Sequence, residues 1–401
     1  MFIYLKFVNN KPQILILSDF YLPGFKSGAL RTVVNMVERM SDEFDFWILT
    51  GDRDSDGDRS RFIDVRLNQW QKVGNAQVYY ASRESLDFNN IGKIVIQAKS
   101  DAVYLNSFFS ALSVKFLFLR RLGKFGKIPV VLAPEGEFSK GAIALKAGKK
   151  KMFLSLALPL GLYRELIWKA VSEIEKEDIL REIGKRGEIL IAANMPPRKI
   201  LENFEIESKP QKKVGTARFV FLSRISPKKN LKFALEILEG VSGLVTLDIY
   251  GSIEDEKYWA ECEKLIERLP ETVKVNFQGA VSYEQVAETF GRYHFFLFPT
   301  LGENFGHVVI ESLAAGTPVV LSDQTPWRNL EKENIGWDLR LEEISSWRNI
   351  GQRCVEMSET EFYEMANSAR DFAVNWLAAP EIETANRQVL RRAVEISKVK
   401  K

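Results

Sequence analysis

Short, mostly apolar runs alternate with amphipathic stretches of helical length along this chain, and that alternation is what most limits its fold. A strand that is apolar on both faces has to be covered on both faces, which specifies parallel sheets with helices packed above and below. Ile14–Leu17, Phe46–Leu49, Val78–Tyr80, Val103–Leu105, Val130–Leu132 and Ile189–Ile191 are the predicted strands of the first half, with helices such as Ala29–Met40 and Ala111–Leu122 between them. The series then starts again. Phe219–Leu222, Val245–Tyr250, Val273–Phe277, Phe295–Phe298 and Val319–Leu321 read as strands, and 231–239, 256–268, 284–291 and 307–315 as their helices. The polar segment Ser208-Lys-Pro-Gln-Lys-Lys-Val-Gly215 separates the two series and is the predicted linker. The expected fold is α/β, with two Rossmann-like βαβ domains at 1–207 and 208–380, since 401 residues exceed what one ordinary core holds. From Leu341 onward the pattern is helical alone.

Composition removes several function classes. The formal charge is +3, from 56 basic and 53 acidic residues, too balanced for a general nucleic-acid binder. The positive charge is concentrated: Lys115 to Lys151 holds ten Lys or Arg against two acids, Glu135 and Glu137. Cys262 and Cys354 are the only cysteines and His294 and His307 the only histidines, a set that argues against a protein-held zinc site. Two widely spaced cysteines fit a reducing cytoplasm. Residues 1–10 carry no cleavable apolar core, so no signal peptide is expected. The uncharged run Met152–Tyr163 is twelve residues interrupted by Pro159, against roughly 20 for a spanning helix.

The strongest chemical signal is Phe295-Phe-Leu-Phe-Pro-Thr-Leu-Gly-Glu-Asn-Phe-Gly-His-Val-Val-Ile-Glu311. It reads as a buried strand ending at Pro299, a loop holding Glu303, and a helix that starts at Gly306 and stops near Gly316. Ligands of open parallel sheets bind beyond the carboxyl ends of the strands. The unpaired N–H groups of a helix start face an anion or sugar oxygen there, and Gly306 lets it approach the backbone. Glu303 before the helix and Glu311 inside it can accept hydrogen bonds from hydroxyls at two ends of one ligand. Two glutamates eight residues apart are ordinarily a loop charge and a solvated helix residue; the strand–loop–helix–Gly-Thr-Pro-strand context reverses that reading. Upstream, Phe221-Leu-Ser-Arg-Ile-Ser-Pro-Lys-Lys-Asn-Leu231 reads as a strand, a turn and a helix start. It places Arg224 and Lys229, with Lys228 as an adjacent competitor, where cations can neutralise a diphosphate leaving group.

Glu303-Asn-Phe-Gly-His-Val-Val-Ile-Glu311 resembles the E-x7-E motif of the retaining family 4 glycosyltransferases, which have the GT-B fold. Ser312-Leu-Ala-Ala-Gly-Thr-Pro-Val-Val320 and Val275-Asn-Phe-Gln-Gly-Ala-Val281 are similar to the same family. Phe221–Leu231 resembles its G-R-x4-K-G element, with Ser223 for the first Gly and Asn230 for the last. The resemblance implies a deep cleft between the two domains and a last helix, about Glu381–Ser397 within 381–401, that crosses back onto the first. It also implies site roles: Glu303 on the transferred sugar, Glu311 on the ribose, and Arg224 and Lys229 on the departing diphosphate. Asn304, Phe305, Gly306 and His307 would line the sugar and phosphate pocket through their backbone, beside Ser223. Ser18-Asp-Phe-Tyr-Leu-Pro-Gly-Phe-Lys-Ser-Gly-Ala-Leu-Arg31 resembles the family's glycine loop, with Gly28 the donor contact and Arg31 secondary, on the acceptor side.

Two positions depart from the family pattern, both on the acceptor side. Glu135 stands where relatives have a histidine or an arginine, and Lys169 where they often have a histidine. Asp52-Arg-Asp-Ser-Asp-Gly57 begins like a calcium loop, but Ile63 takes the place of the bidentate glutamate, so a solvated acidic loop is expected there. No metal is expected, because the family class is metal-independent. Lys146-Ala-Gly-Lys-Lys-Lys-Met-Phe-Leu-Ser-Leu-Ala-Leu158 joins a basic cluster to apolar residues and reads equally as a buried helix with a charged lead-in or as a patch against an anionic membrane.

The implied activity is retaining transfer of a hexosyl unit from a nucleoside-diphosphate sugar, by family habit a UDP-sugar, to a glycan or lipid-linked acceptor. Surface polysaccharide or lipopolysaccharide biosynthesis, in the cytoplasm or at the inner membrane face, would be its setting, with no cofactor beyond the co-substrate. The alternatives are a non-catalytic GT-B subunit that binds a partner or glycan, motivated by Glu135 and Lys169, and a nucleotide-sugar epimerase or a phosphorylase on the same architecture.

Overall fold

The computed structural model describes residues 11–24, 28–54, 61–144, 147–197 and 206–400. The chain divides into two units, one made of Met1–Arg198 with Pro380–Lys401 and the other of Lys199–Ala379.

The first unit opens with β1 (Gln13–Leu17), α1 (Gly28–Met40), β2 (Asp45–Gly51), β3 (Trp70–Val73), β4 (Ala76–Ala81) and α2 (Phe88–Ala98). It continues through β5 (Ala102–Asn106), α3 (Ala111–Arg121), β6 (Val130–Ala133), α4 (Lys140–Ala144), α5 (Ala147–Ala157), β7 (Leu166–Ala170), α6 (Glu173–Ile183) and β8 (Gly187–Ile191). The eight strands form one sheet in the order β3-β4-β2-β1-β5-β6-β7-β8. Pairing is parallel except for the β3–β4 edge hairpin. Side chains of the central strands alternate between two cores. Leu15, Leu17, Val103, Leu105, Leu132 and Trp168 fill one face, while Ile14, Ile16, Tyr104, Val131 and Ile167 fill the other. That is why these strands read as continuous apolar runs rather than alternating ones.

The second unit carries β9 (Thr216–Leu222), α7 (Leu231–Glu239), β10 (Leu244–Tyr250), α8 (Glu256–Ile266), β11 (Val273–Gly279), α9 (Val286–Gly291) and β12 (Phe295–Phe298). Next come α10 (His307–Ala314), β13 (Val319–Ser322), β14 (Gly336–Leu339), α11 (Ile344–Glu356) and α12 (Glu359–Ala378). Its six strands are all parallel, in the order β11-β10-β9-β12-β13-β14.

Three strands escape the sequence pattern. β3 and β14 are short and partly polar. β7 is masked by Lys169, which is only 1% exposed in a fully buried strand. The predicted linker is also different from a solvated tether. Lys209 donates to the Tyr293 carbonyl at 3.0 Å and to Thr317 Oγ1 at 2.7 Å, and Lys212 to the carbonyls of Val355 and Met357. Both side chains are buried, so the segment is packed into the second unit, where carbonyl oxygens satisfy ammonium groups that composition alone assigns to solvent. Burial holds the Lys209 ammonium well below the ordinary lysine range.

The last helix, α13 (Pro380–Lys400), packs against β5, β6 and β7 of the first unit. Asn386 donates to the Ala193 carbonyl. Arg387, 13% exposed in its side chain, ties α13 to the end of α1 through Asp42, Glu43 and the Arg39 carbonyl. Arg387→Ala is expected to lower the stability of the protein by about 2 kcal/mol, because five charge-assisted hydrogen bonds go at once. The measurement is the shift of the urea midpoint.

Candidate functional site

In the second sheet β9 lies between β10 and β12. The chain runs outward from β9 to β10 and β11 on one side, and from β12 to β13 and β14 on the other. The helices that follow β9 and β12 therefore diverge, and the carboxyl ends of these two strands open on the crevice where doubly wound sheets bind ligands. The segments entering it are Ser223–Asn230 after β9 and Pro299–Gly306 after β12, the two that the sequence singles out.

At the centre the Lys229 ammonium meets Glu303 Oε1, with each side chain 12% exposed. Thr300 Oγ1 also donates to Glu303 Oε1 at 3.3 Å, and the ammonium lies 5.4 Å from the centre of the Phe298 ring. Burial pushes the Glu303 carboxyl upward, but the charges of Lys229 and Lys228 and the two hydrogen bonds outweigh it and hold the carboxyl below its usual range. Backbone bonds fix the frame: the Leu301 N–H donates to the Lys228 carbonyl and the Glu303 N–H to the Gln324 carbonyl, both at 2.9 Å. Asn230 takes a left-handed conformation, φ 60°, and its amide donates to the Pro299 carbonyl at 2.9 Å. A left-handed position suits glycine or asparagine, which accounts physically for asparagine standing at this place in the motif.

α10 starts immediately beyond, after Gly306 at φ 76°. Its N-terminus lies at the strand ends, where the positive end of a helix attracts an anion, and the Val309 N–H closes the first turn on the Gly306 carbonyl at 2.8 Å. Phe305 is an anchor: its ring packs on Trp327 and Trp376 and its carbonyl accepts the Trp327 indole N–H at 2.6 Å. Of that residue only the amide remains to serve a ligand. His307 contacts the Phe305 ring at 4.8 Å, Asn304 is partly exposed beside it, and Glu311 is buried one turn further into α10.

Arg224 goes elsewhere. Its Nη1 donates to Glu254 Oε1 at 2.6 Å, in a pair about half exposed. Sequence reasoning does not find Glu254, because nothing in the spacing of residues 224 and 254 links them. The loops carrying them are joined by bonds from Ile225 N–H to the Ser252 carbonyl and from Glu254 N–H to the Ile225 carbonyl. Gly251 makes the close approach possible, since a Cβ there would lie 1.8 Å from the Ser223 carbonyl oxygen. The structure thus brings Lys229 to Glu303 and gives Arg224 a different acid.

In the first unit Gly28 is the first residue of α1, which follows β1, and Arg31 lies in its first turn; residues 25–27 of the glycine loop lie outside the described residues. The two departures from the family pattern prove to be one network. Lys169 Nζ donates to Asn194 Oδ1 at 2.6 Å, and the Asn194 amide donates to Glu135 Oε2 at 2.9 Å. Glu175 closes it by accepting the Gly136 and Val171 N–H groups. Burial lowers the Lys169 ammonium, and burial with the Glu135 charge pushes Glu175 up to about 7. Asn194 and Glu175 carry no sequence signal. The acidic loop also differs from expectation: Asp52 and Asp54 are buried, and Asp52 pairs with Arg53 and Arg61, each at 3.1 Å. Those guanidinium groups, rather than water, neutralise Asp52. Residues 55–57 of that loop and Lys146 of the basic stretch lie outside the described residues.

Parts of the chain, and its fold, resemble known proteins. The family described as Glycosyl transferases group 1 matches residues 202–337. A phosphatidyl-myo-inositol mannosyltransferase of Mycobacterium leprae is 31% identical over 119 residues, which cover 28% of this chain and 30% of that protein. Among solved structures, HepE of Anabaena in complex with UDP and glucose superposes with a TM-score of 0.66 at 17% identity, over 95% of this chain and 99% of that one. The sucrose-phosphate synthase of Thermosynechococcus elongatus gives 0.70 at 17% identity, over 95% and 99%. WaaG, a glycosyltransferase involved in lipopolysaccharide biosynthesis, gives 0.63 at 13%, over 94% and 98%. The family match falls within the second unit, and the fold of the chain is GT-B.

The buried pair makes a sharp prediction. Lys229→Met leaves the Glu303 carboxylate buried without its cation and is expected to cost about 3–5 kcal/mol, most of it recovered in Lys229→Met/Glu303→Gln. The pH dependence should reverse as well. In the parent the Glu303 pKa is depressed, so its contribution is present above the ordinary carboxylate range and is lost as pH falls through the folded value. Without Lys229 burial dominates and raises that pKa, so the single variant should gain stability on acidification. Urea denaturation from about pH 2.5 to 8 checks both statements.

Proposed function

We propose that this chain is a retaining glycosyltransferase that moves a hexosyl unit from a UDP-sugar to a glycan or lipid-linked acceptor. The observation that carries the reading is the convergence of Lys229 and Glu303 from the two sides of the switch point, beside the start of α10. Cleavage of the donor places negative charge on the departing diphosphate. Lys229, Arg224 and the first amides of α10 stabilise that charge where it develops, with Ser223 and residues 304–307 offering backbone contacts. Glu303 holds a hydroxyl of the transferred sugar and Glu311 the ribose. The acceptor attacks from the face the diphosphate leaves and its proton passes to the leaving phosphate, so the reaction needs neither a protein base nor a metal nor a cofactor. Gly28 serves the donor, and Arg31 and Glu135 serve the acceptor.

HepE, a similar fold, is crystallised with UDP and glucose, which supports a uridine donor. WaaG supports a role in surface polysaccharide, and the mannosyltransferase relative supports a lipid-linked acceptor. No described helix is long and apolar enough to cross a membrane. α5 does turn Met152 and Leu156 outward, 63% and 62% exposed, beside exposed Lys149 and Lys151. This face suits peripheral contact with an anionic inner-membrane surface.

Incubation with a panel of nucleotide sugars beginning with UDP-glucose, followed by nucleotide release, tests the activity. Arg224→Ala and Glu311→Ala are each expected to cut transfer at least about 100-fold with the melting temperature unchanged. Parental rates in a folded Arg224→Ala protein refute the leaving-group role, whereas cleavage of any donor by the parent dismisses a purely binding subunit. Vesicles containing phosphatidylglycerol should retain the protein, and Met152→Ser/Leu156→Ser should release it.

A further inference from the structure

Both cations assigned to the phosphates are already in contact with carboxylates, but the two contacts differ in kind. Lys229–Glu303 is buried, shared with Thr300, and part of the frame that joins the segments after β9 and β12. Arg224–Glu254 is a single bond between side chains that are each 47% exposed. Exposed pairs of this sort add little to stability, so this one opens at little cost. The backbone does not let the partners part, however. Ile225 bonds to Ser252, the N–H groups of Glu254 and Asp255 both donate to the Ile225 carbonyl, and Gly251 packs without room for a side chain against Ser223. Glu254 therefore stays within reach of Arg224 whatever else the guanidinium binds.

We propose that Glu254 is a built-in competitor for Arg224: its carboxylate and the diphosphate of the nucleotide exchange on one guanidinium, so Glu254 sets how tightly a nucleoside diphosphate is held and how readily it leaves. The proposal rests on the nucleotide reading of the site given above and adds a residue that restrains affinity. The exchange runs toward the ligand because a diphosphate offers more charge and a bidentate oxygen pair to the guanidinium fork. It is resisted because one carboxylate must be displaced and then remains close to the phosphates. A site whose product has to leave after every turnover gains from that resistance, since product release often limits the rate.

The test is calorimetric titration of UDP into the full chain at low ionic strength, for the parent, Glu254→Gln, Arg224→Ala and the double variant, with melting temperatures confirming the fold of each. Glu254→Gln is expected to tighten UDP about 3–10-fold, an effect that shrinks with added salt because the pair is exposed. In the Arg224→Ala background the same substitution should change affinity less than about twofold, since the competed group is gone. A Glu254→Gln protein that binds UDP no better than the parent overturns the proposal. So does equal tightening in the Arg224→Ala background, which would make Glu254 only a distant charge. A folded parent with no affinity for UDP overturns instead the nucleotide reading on which the proposal stands.

Discussion

A parallel sheet covered on both faces leaves its ligands only one place to go, the edge where the strands end, and everything proposed for this chain depends on that constraint. In the second unit the crossover after β9 and the crossover after β12 leave in opposite directions, so the segments beyond these strands border an opening rather than each other's helices. The side chains that meet there are a lysine from one segment and a glutamate from the other. Neither neighbour in sequence explains the other; the divergence of two helices does.

Charge in this protein is repeatedly buried in compensated form. Lys229 is set against Glu303, and Lys169 is linked through Asn194 to Glu135. Lys209 and Lys212 are satisfied by carbonyls, and Asp52 by two arginines. Each arrangement is costly to leave half made, because a buried charge that loses its partner keeps its desolvation penalty. The Glu135–Asn194–Lys169 network is built in the same way. Taken singly, an acid and a lysine at these two positions look like the loss of a site. Taken together they are one bridged unit, so the departures from the family pattern compensate each other electrostatically.

The parts of the site that the sequence reveals are those made locally. Gly306 and α10, the turn around Pro227, and the left-handed Asn230 arise from residues adjacent in the chain. The same holds for β12, whose four aromatic and aliphatic residues have no polar position to hide them. The parts that stay hidden depend on distant loops. Glu254 meets Arg224 because Gly251 lets one loop lie against another, and β7 carries Lys169 because Asn194 is there to receive its ammonium. A pattern of polar and apolar residues records what one element needs, not which element will supply it.

The sequence by itself determined the two α/β series, the strand ends at which chemistry gathers, and the glutamates and cations that reach them. Those features arise from backbone period, glycine and proline geometry, and the solvation of single side chains, all of which act over a few residues. Tertiary structure alone decided the pairings: Lys229 rather than Lys228 with Glu303, Arg224 with Glu254, Lys169 with Asn194, and two linker lysines inside a core. Ion pairing and desolvation depend on distances through space, and those distances exist only after the strands have taken their order.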